Sequence, residues 1–163
     1  MKKQSYQFEY EEYNSMEELN AEDALLLKLA KEETIHAYAP YSHFSVAAVA
    51  RLSNGQIVKG TNQENASYPV GICAERVLMS TAASLFPGMA ISTMAISYKS
   101  STIESNKPVS PCGMCRQALA EFEDRTAGAI RLVLGGETGA IIVVNQSRQL
   151  LPFNFGKEDL EKS

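Results

Sequence analysis

The chain contains three cysteines, and their spacing suits a single metal ion. Cys73 precedes an apolar helical pattern, whereas Cys112 and Cys115 are three residues apart. Residues at that separation share a helical face, and the positive end of a helix favours the thiolate form that a metal requires. Three thiolates fill three positions of a tetrahedral Zn²⁺ and leave the fourth for water, as in catalytic sites. The spacing therefore predicts a hydrolytic zinc site, with one Zn²⁺ per chain.

Two charged residues beside Cys73 are suited to support this chemistry. Glu75 lies two residues beyond the first ligand, where a carboxylate can move the proton of an activated water and contribute about 10²- to 10⁴-fold in rate. Zn²⁺ with three thiolates carries excess negative charge, and we expect Arg76 to offset it. A structural zinc would instead need a fourth protein ligand. Neither His36 nor His43 is convincingly placed for that role, and Glu75 itself could coordinate the ion.

The bulk composition limits the classes of function. With 163 residues, 45% of them hydrophobic and 21% charged, the chain has the length and apolar content of one domain. A net charge of -4 provides no basic surface for polymeric nucleic acid. No apolar run is long enough to cross a bilayer, and the polar N-terminal segment is unlike a signal core. These features predict a cytoplasmic protein with no membrane contact, in which cysteines serve a metal more often than a disulfide.

The elements that position the cysteines follow from caps, turns and hydrophobic periodicity. Three helices are predicted: one after the N-cap Asn20, one from Cys73 to before Pro87, and one with Ser110 as N-cap and Pro111 as its first residue. The predicted strands are residues 46–52, 56–61, 90–98, 130–134 and 141–144. Asn54-Gly55 favours a type I′ hairpin between the first two strands.

This order of elements predicts an α/β fold, a three-layer α/β/α sandwich with a mixed sheet of about five strands. The domain is expected to span residues 20–163. Residues 1–19 form an N-terminal extension. Tyr6, Phe8 and Tyr10 alternate in it as they would on one face of a strand, so the extension is either an added edge strand or a simple tail.

Two motifs together resemble a known family. Cys73-Ala74-Glu75-Arg76, with Pro111-Cys112-Gly113-Met114-Cys115-Arg116-Gln117, is similar to the cytidine deaminases of the small, three-cysteine, homotetrameric type, and the likeness extends from the first helix to about residue 160. It implies zinc-dependent hydrolytic deamination of cytidine and 2′-deoxycytidine to the corresponding uridines and ammonia, in pyrimidine salvage. In the mechanism of that family, zinc hydroxide attacks C4 of cytosine while Glu75 shuttles protons.

The resemblance also assigns residues to the nucleoside. Asn62 and Glu64, in the Asn-x-Glu-Asn segment, would bind the ribose 3′ hydroxyl. Phe44 would pack on the pyrimidine, and base-aromatic stacking is worth about 1 to 3 kcal/mol. The backbone near Ala74 would meet the base carbonyl, and carbonyls of the 110–112 turn would hold the amino group.

A shared active site is a further implication of the resemblance. Phe155 would enter the pocket of a neighbouring subunit, and Tyr68 would lie near the shared interface, so a homotetramer is expected. Three positions depart from the family pattern: Ala47 replaces a common Gly, Thr61 a common Cys, and Met114 a common Ala. None of these departures removes a ligand, the carboxylate or the ribose pair.

Rival interpretations remain at the level of sequence. A deaminase of a nucleoside-like antibiotic such as blasticidin S shares the cysteine motifs but is less similar around Asn62 and Glu64. An RNA- or DNA-editing deaminase fits the acidic balance poorly. A zinc-stabilised binding subunit without turnover would be supported by a fourth protein ligand or an occluded pocket.

Overall fold

The fold is α/β, as predicted, with one strand more than expected. The structure, a computed structural model, describes residues 1–160. Its regular elements are α1 (Ala21–Glu33), α2 (Ala74–Leu85), α3 (Gly113–Thr126), β1 (Glu11–Tyr13), β2 (Phe44–Leu52), β3 (Ile57–Thr61), β4 (Ile91–Ser100), β5 (Arg131–Gly135) and β6 (Ile141–Val144). The six strands form one sheet in the order β1-β6-β5-β4-β2-β3. Among the strands of residues 1–160, only β4 and β5 pair in parallel, so the sheet is mixed.

Helices cover both faces of this sheet, which confirms the three-layer sandwich. On one face α1 buries Leu26, Leu27 and Ala30 against Val49, Ala95, Val133 and Val143. On the other face α2 and α3 bury Leu78, Met79, Ala82, Leu119 and Phe122 against Ala48, Ala50, Met94, Ile96, Leu132 and Leu134. Alternate residues of β2 and β4 thus enter opposite cores, as strand geometry requires. None of the helices within residues 1–160 has the length and apolarity to cross a membrane.

The sheet topology brings the starts of α2 and α3 to one edge. β3 and β4 are both antiparallel to the strand between them, β2, and β4 is parallel to β5. β3, β4 and β5 therefore run in the same direction. α2 follows β3, and α3 follows β4 on the same face of the sheet. Both helices therefore begin beyond the carboxyl ends of like-directed strands, the edge at which open α/β sheets bind ligands.

The first turn of α2 packs directly on β3 at Gly60. A Cβ atom at this position would lie 2.4 Å from the backbone nitrogen of Leu78 and 2.6 Å from the carbonyl oxygen of Ala74. Glycine in a strand interior indicates a close approach by other backbone. The absence of a side chain at Gly60 therefore allows α2, the helix that follows Cys73, to lie this close to the sheet.

Two local predictions are corrected by the structure. The N-cap of α3 is Cys112 rather than Ser110, because Cys112 has an extended backbone and its carbonyl accepts the first helical bond, from Arg116. The β2–β3 hairpin exists, but its turn is not type I′. That turn needs positive φ at two residues, whereas within the loop only Gly55 has positive φ, at 84°.

The N-terminal extension joins the sheet at residues 11–13 rather than at the predicted alternation. β1 pairs with β6, and Glu11 reaches Arg131, which also forms an ion pair of 3.0 Å with the buried Asp23. The rings of Tyr6, Phe8 and Tyr10 form a row outside the sheet, with neighbouring centroids 6.4 and 6.5 Å apart. β1 is thus the sixth strand of the sheet, in addition to the five that were predicted.

Candidate active site

The three cysteine sulfurs meet at the common edge where α2 and α3 begin. Cys73 is the N-cap of α2, Cys112 is the N-cap of α3, and Cys115 lies in the first turn of α3. The Sγ atom of Cys112 lies 3.8 Å from that of Cys73 and 3.5 Å from that of Cys115. A tetrahedral Zn²⁺ with bonds of about 2.3 Å separates its sulfurs by about 3.8 Å. The donor set therefore fits zinc, and within residues 1–160 neither His36 nor His43 belongs to the cluster.

The electrostatics of this cluster favour a thiolate at Cys73. Its pKa is lowered to about 5, first by the hydrogen bond from the Cys115 thiol and further by the Arg76 guanidinium. The Nη2 atom of Arg76 lies 4.0 Å from Cys73 Sγ and 3.5 Å from the carbonyl oxygen of Gly71. A cation in this position lowers the energy of negative charge on the sulfurs.

Glu75 is buried directly behind the cluster, with 5% of its surface exposed. Burial raises the pKa of this carboxyl above its ordinary value, and the negative charge of Cys73 raises it further. A raised pKa brings a carboxyl closer to neutral pH, where it can both accept and donate a proton. The start of α2 thus brings together the Cys73 thiolate, the buried carboxyl of Glu75 and the guanidinium of Arg76.

A cavity of about 530 Å³ opens beside the cluster, a volume within the range of small-molecule sites. Its lining residues are Tyr41, Ser42, Asn62, Gln63, Glu64, Asn65, Tyr68, Gly71, Ile72, Cys73, Arg76 and Met114. A larger groove of about 890 Å³, between residues 6–9 and 145–152, includes none of the cysteines. Of these two cavities, it is the smaller one that Cys73 and Arg76 line.

The predicted ribose pair faces this cavity and also organises the loop before β2. Asn62 accepts a hydrogen bond from the Val46 amide at 2.8 Å and donates one to the Phe44 carbonyl at 2.9 Å. Glu64 Oε2 accepts from the Tyr41 amide at 2.9 Å. The Ser42 hydroxyl, followed by the backbone amides, lowers the pKa of Glu64, so this carboxylate is ionised at neutral pH.

The other predicted substrate residues are placed differently. Tyr68 lines the cavity, is 76% exposed, and meets Tyr41 edge-on at 6.2 Å between centroids. Phe44 does not line the cavity; its ring stacks on Tyr98 with centroids 4.7 Å apart. Ala74 is fully buried in the first turn of α2, and Phe155 is 59% exposed on the C-terminal segment. Within one chain, the structure therefore gathers the cysteines, Arg76 and the ribose pair, together with Tyr68.

Sequence reasoning missed two features of this site. The backbone amides of Tyr41 and Ser42 hold Glu64, and a loop contact of this kind leaves no pattern in the sequence. The close approach at Gly60 did leave a signal, because glycine inside an otherwise β-prone run marks a packing constraint.

The region that forms this site matches a family of known proteins. The family model described as "Cytidine and deoxycytidylate deaminase zinc-binding region" matches residues 20–129, which include all three cysteines. The chain belongs to this deaminase family. The cytidine deaminase of Halalkalibacterium halodurans is 34% identical over 136 residues, covering 83% of this chain and 96% of the relative. The cytidine deaminase of Sporosarcina psychrophila is 36% identical over 137 residues, covering 83% and 92%.

Solved deaminase structures share the fold. The cytidine deaminase of Burkholderia pseudomallei superimposes with a TM-score of 0.70 at 32% identity, covering 84% of this chain and all of the other. The enzyme from Mycobacterium tuberculosis gives a TM-score of 0.64 at 25% identity, covering 84% and 99%. The family resemblance noted in the motifs is thus confirmed, and this chain is an enzyme of the deaminase family.

Proposed function

We propose that this protein is a zinc-dependent cytidine deaminase that converts cytidine and 2′-deoxycytidine to the corresponding uridines and ammonia, in pyrimidine salvage. The observation that carries the proposal is the three-sulfur cluster at tetrahedral spacing, open to a cavity that also contains an amide and a carboxylate. A metal site with a free position beside a nucleoside-sized cavity supports hydrolysis rather than a structural role.

The chain's own residues supply the remaining requirements of the reaction. Cys73, Cys112 and Cys115 would hold one zinc, which supplies an activated water. Glu75 takes the two protons of this water in turn, delivering the first to N3 of the cytosine ring and the second to the departing amine. Arg76, whose Nη2 lies 4.0 Å from Cys73 Sγ, offsets the negative charge of the thiolates. The substrate, with one water, thereby becomes a uridine and ammonia.

Asn62 and Glu64 are our candidates for binding the sugar hydroxyls. Both line the cavity, and the ionised carboxylate of Glu64 can accept a hydrogen bond from a hydroxyl but repels a phosphate. Phe44 remains our candidate for packing on the base and the backbone at Ala74 for meeting the base carbonyl. Neither Phe44 nor Ala74 lines the cavity, so these two roles require the base to pass beyond the residues that line it.

We also propose a homotetramer with shared active sites. Tyr68 and Phe155 are more than half exposed, which suits residues that contact a neighbouring subunit. We assign residues 20–163 to the catalytic domain, supported by a family match that starts at residue 20, and residues 1–19 to an extension. A cytoplasmic location is inferred from the three free thiols.

The test is a spectrophotometric assay of the zinc-loaded protein against cytidine, deoxycytidine, cytosine, CMP and blasticidin S. We expect turnover of both nucleosides and rejection of the free base and the nucleotide. Turnover of blasticidin S alone would replace the proposal with the antibiotic alternative. No turnover of any substrate by protein with one zinc per chain would favour a non-catalytic zinc-binding subunit.

A further inference from the structure

Arg116 follows the last cysteine ligand and joins two separate parts of the chain. Its Nε donates to the carbonyl oxygen of Pro111 at 2.9 Å, and its Nη1 donates to the carbonyl oxygen of Leu150 at 3.0 Å. Pro111 is buried and immediately precedes the ligand Cys112. Leu150 lies where a short 3₁₀ turn ends and the C-terminal segment begins. The Arg116 side chain therefore connects the Pro111–Cys112 turn to the C-terminal segment.

The two bonds use different nitrogens of the same guanidinium. Arginine presents several N–H donors in a rigid plane, whereas lysine presents one compact ammonium at the end of a flexible stem. Hydrogen bonds from a charged donor are stronger than neutral ones, and Arg116 is partly buried, so water competes less for the two carbonyls. A lysine would have to reach both carbonyls from the single nitrogen at the end of its flexible stem, so it should hold them less firmly.

The next residue holds the other end of the same segment. Gln117 Nε2 donates to the carbonyl oxygen of Phe155 at 2.7 Å. Residues 150–155 are thus attached at both ends to the beginning of α3, at the two residues that directly follow Cys115. Between the two attachments, Phe153 has positive φ and a fully exposed side chain. The metal-binding helix and the segment that presents Phe155 form one connected unit.

We propose that Arg116 is a positioning residue for the metal centre, acting by orienting the Pro111–Cys112 turn, and that Gln117 positions Phe155. This inference rests on the proposed deaminase function. Because the Pro111 carbonyl accepts a hydrogen bond from Arg116, the position of the neighbouring ligand Cys112 depends on the guanidinium. Loss of Arg116 should loosen the zinc and slow turnover, whereas loss of Gln117 should weaken substrate binding through Phe155 and leave the zinc in place.

The experiment compares Arg116→Gln, Arg116→Lys and Gln117→Ala with the wild-type protein. Arg125→Gln is the matched control, because Arg125 is exposed near the end of the same helix and contacts the Phe122 ring. Zinc release to a chromogenic chelator is measured on the loaded protein, alongside kcat and KM for cytidine and the unfolding temperature.

For Arg116→Gln we expect zinc release at least tenfold faster and kcat at least tenfold lower, with KM changed less than twofold. Arg116→Lys should be intermediate, Gln117→Ala should raise KM at least threefold with unchanged zinc release, and Arg125→Gln should match the wild type. A merely structural role would lower the unfolding temperature while leaving zinc release from the folded protein unchanged, and that result would overturn the proposal.

Two further outcomes are decisive. If Arg116→Gln does not fold, Arg116→Lys decides, and zinc release within twofold of the wild type would refute the positioning role. If the wild-type protein binds zinc but turns over no nucleoside, the proposed function fails, whereas the zinc-release comparison still tests Arg116 independently.

Discussion

Replacing Gly60 with alanine tests whether the contact between β3 and α2 sets the active-site geometry. The added Cβ would lie 2.4 Å from Leu78 N and 2.6 Å from Ala74 O, whereas ordinary contacts between such atoms exceed about 3.4 Å. Both neighbours are backbone atoms of α2 and cannot rotate away. We therefore expect the first turn of α2, with Glu75 and the adjacent Cys73, to move by about 1 Å relative to β3.

The size of two effects follows from this displacement. Overpacking of a well-filled core costs about 1–3 kcal/mol, and each kcal/mol lowers the unfolding temperature of a chain of this length by about 2–4 °C. A misplacement of about 1 Å at catalytic groups can reduce the rate by about 10². We expect Gly60→Ala to unfold some 2–12 °C lower by these estimates, and to lose far more activity than stability alone explains.

Thermal unfolding and the cytidine assay measure these effects at equal protein and zinc concentrations. Gly113→Ala is the matched control, because it makes the same chemical change next to Cys112, where an added Cβ meets nothing within 4 Å. That variant should keep its activity and its stability. If Gly60→Ala unfolded at the wild-type temperature and kept the wild-type rate, the close approach would have no role in placing the site.

Three further predictions concern the charged groups of the site. Glu75→Gln should retain one zinc per chain and lose about 10²- to 10⁴-fold in kcat; a fully active variant would exclude Glu75 as the proton carrier. Because burial raises the pKa of Glu75, the folded state binds this proton more tightly than the unfolded state, so ionisation costs stability as pH rises from 4.5 through the raised value. In metal-free protein, the unfolding temperature of Glu75→Gln relative to the wild type should therefore be higher at pH 7 than at pH 4, and a pH-independent difference would contradict the burial argument. Arg76→Gln should lower kcat about tenfold without changing the far-ultraviolet circular dichroism; an unchanged kcat would remove the charge-balance role.

Much of the fold could be predicted because local signals agreed with the final structure. The strand at 141–144 was placed correctly, since a short β-branched run bounded by glycine and asparagine fits a buried strand. The cap Asn20 was also correct, as its side chain accepts from the Asp23 amide. The cysteines could be assigned to one cluster because their spacing implied two helix starts side by side.

The parts that were missed depend on long-range contacts. β1 is only three residues long, and its pairing with β6 joins positions about 130 residues apart, so no local periodicity revealed it. Ser110 is a better N-cap than Cys112 by intrinsic preference, but the N-cap is Cys112, whose sulfur contacts that of Cys73, 39 residues earlier in the chain. Phe44 stacks on Tyr98 across two strands, a partner that its own neighbourhood in the sequence does not indicate.

The pairing of β1 with β6 has a consequence for how the protein behaves at high concentration. Without the extension, the sheet would end at Ile141-Ile142-Val143-Val144, an uncharged, β-branched run with free backbone groups, which is a template for intermolecular aggregation. β1 covers that run with Glu11-Glu12-Tyr13, so the outermost strand is short and acidic. A chain that lacks residues 1–19 should therefore retain Glu75 and the three cysteines but be less soluble than the full chain.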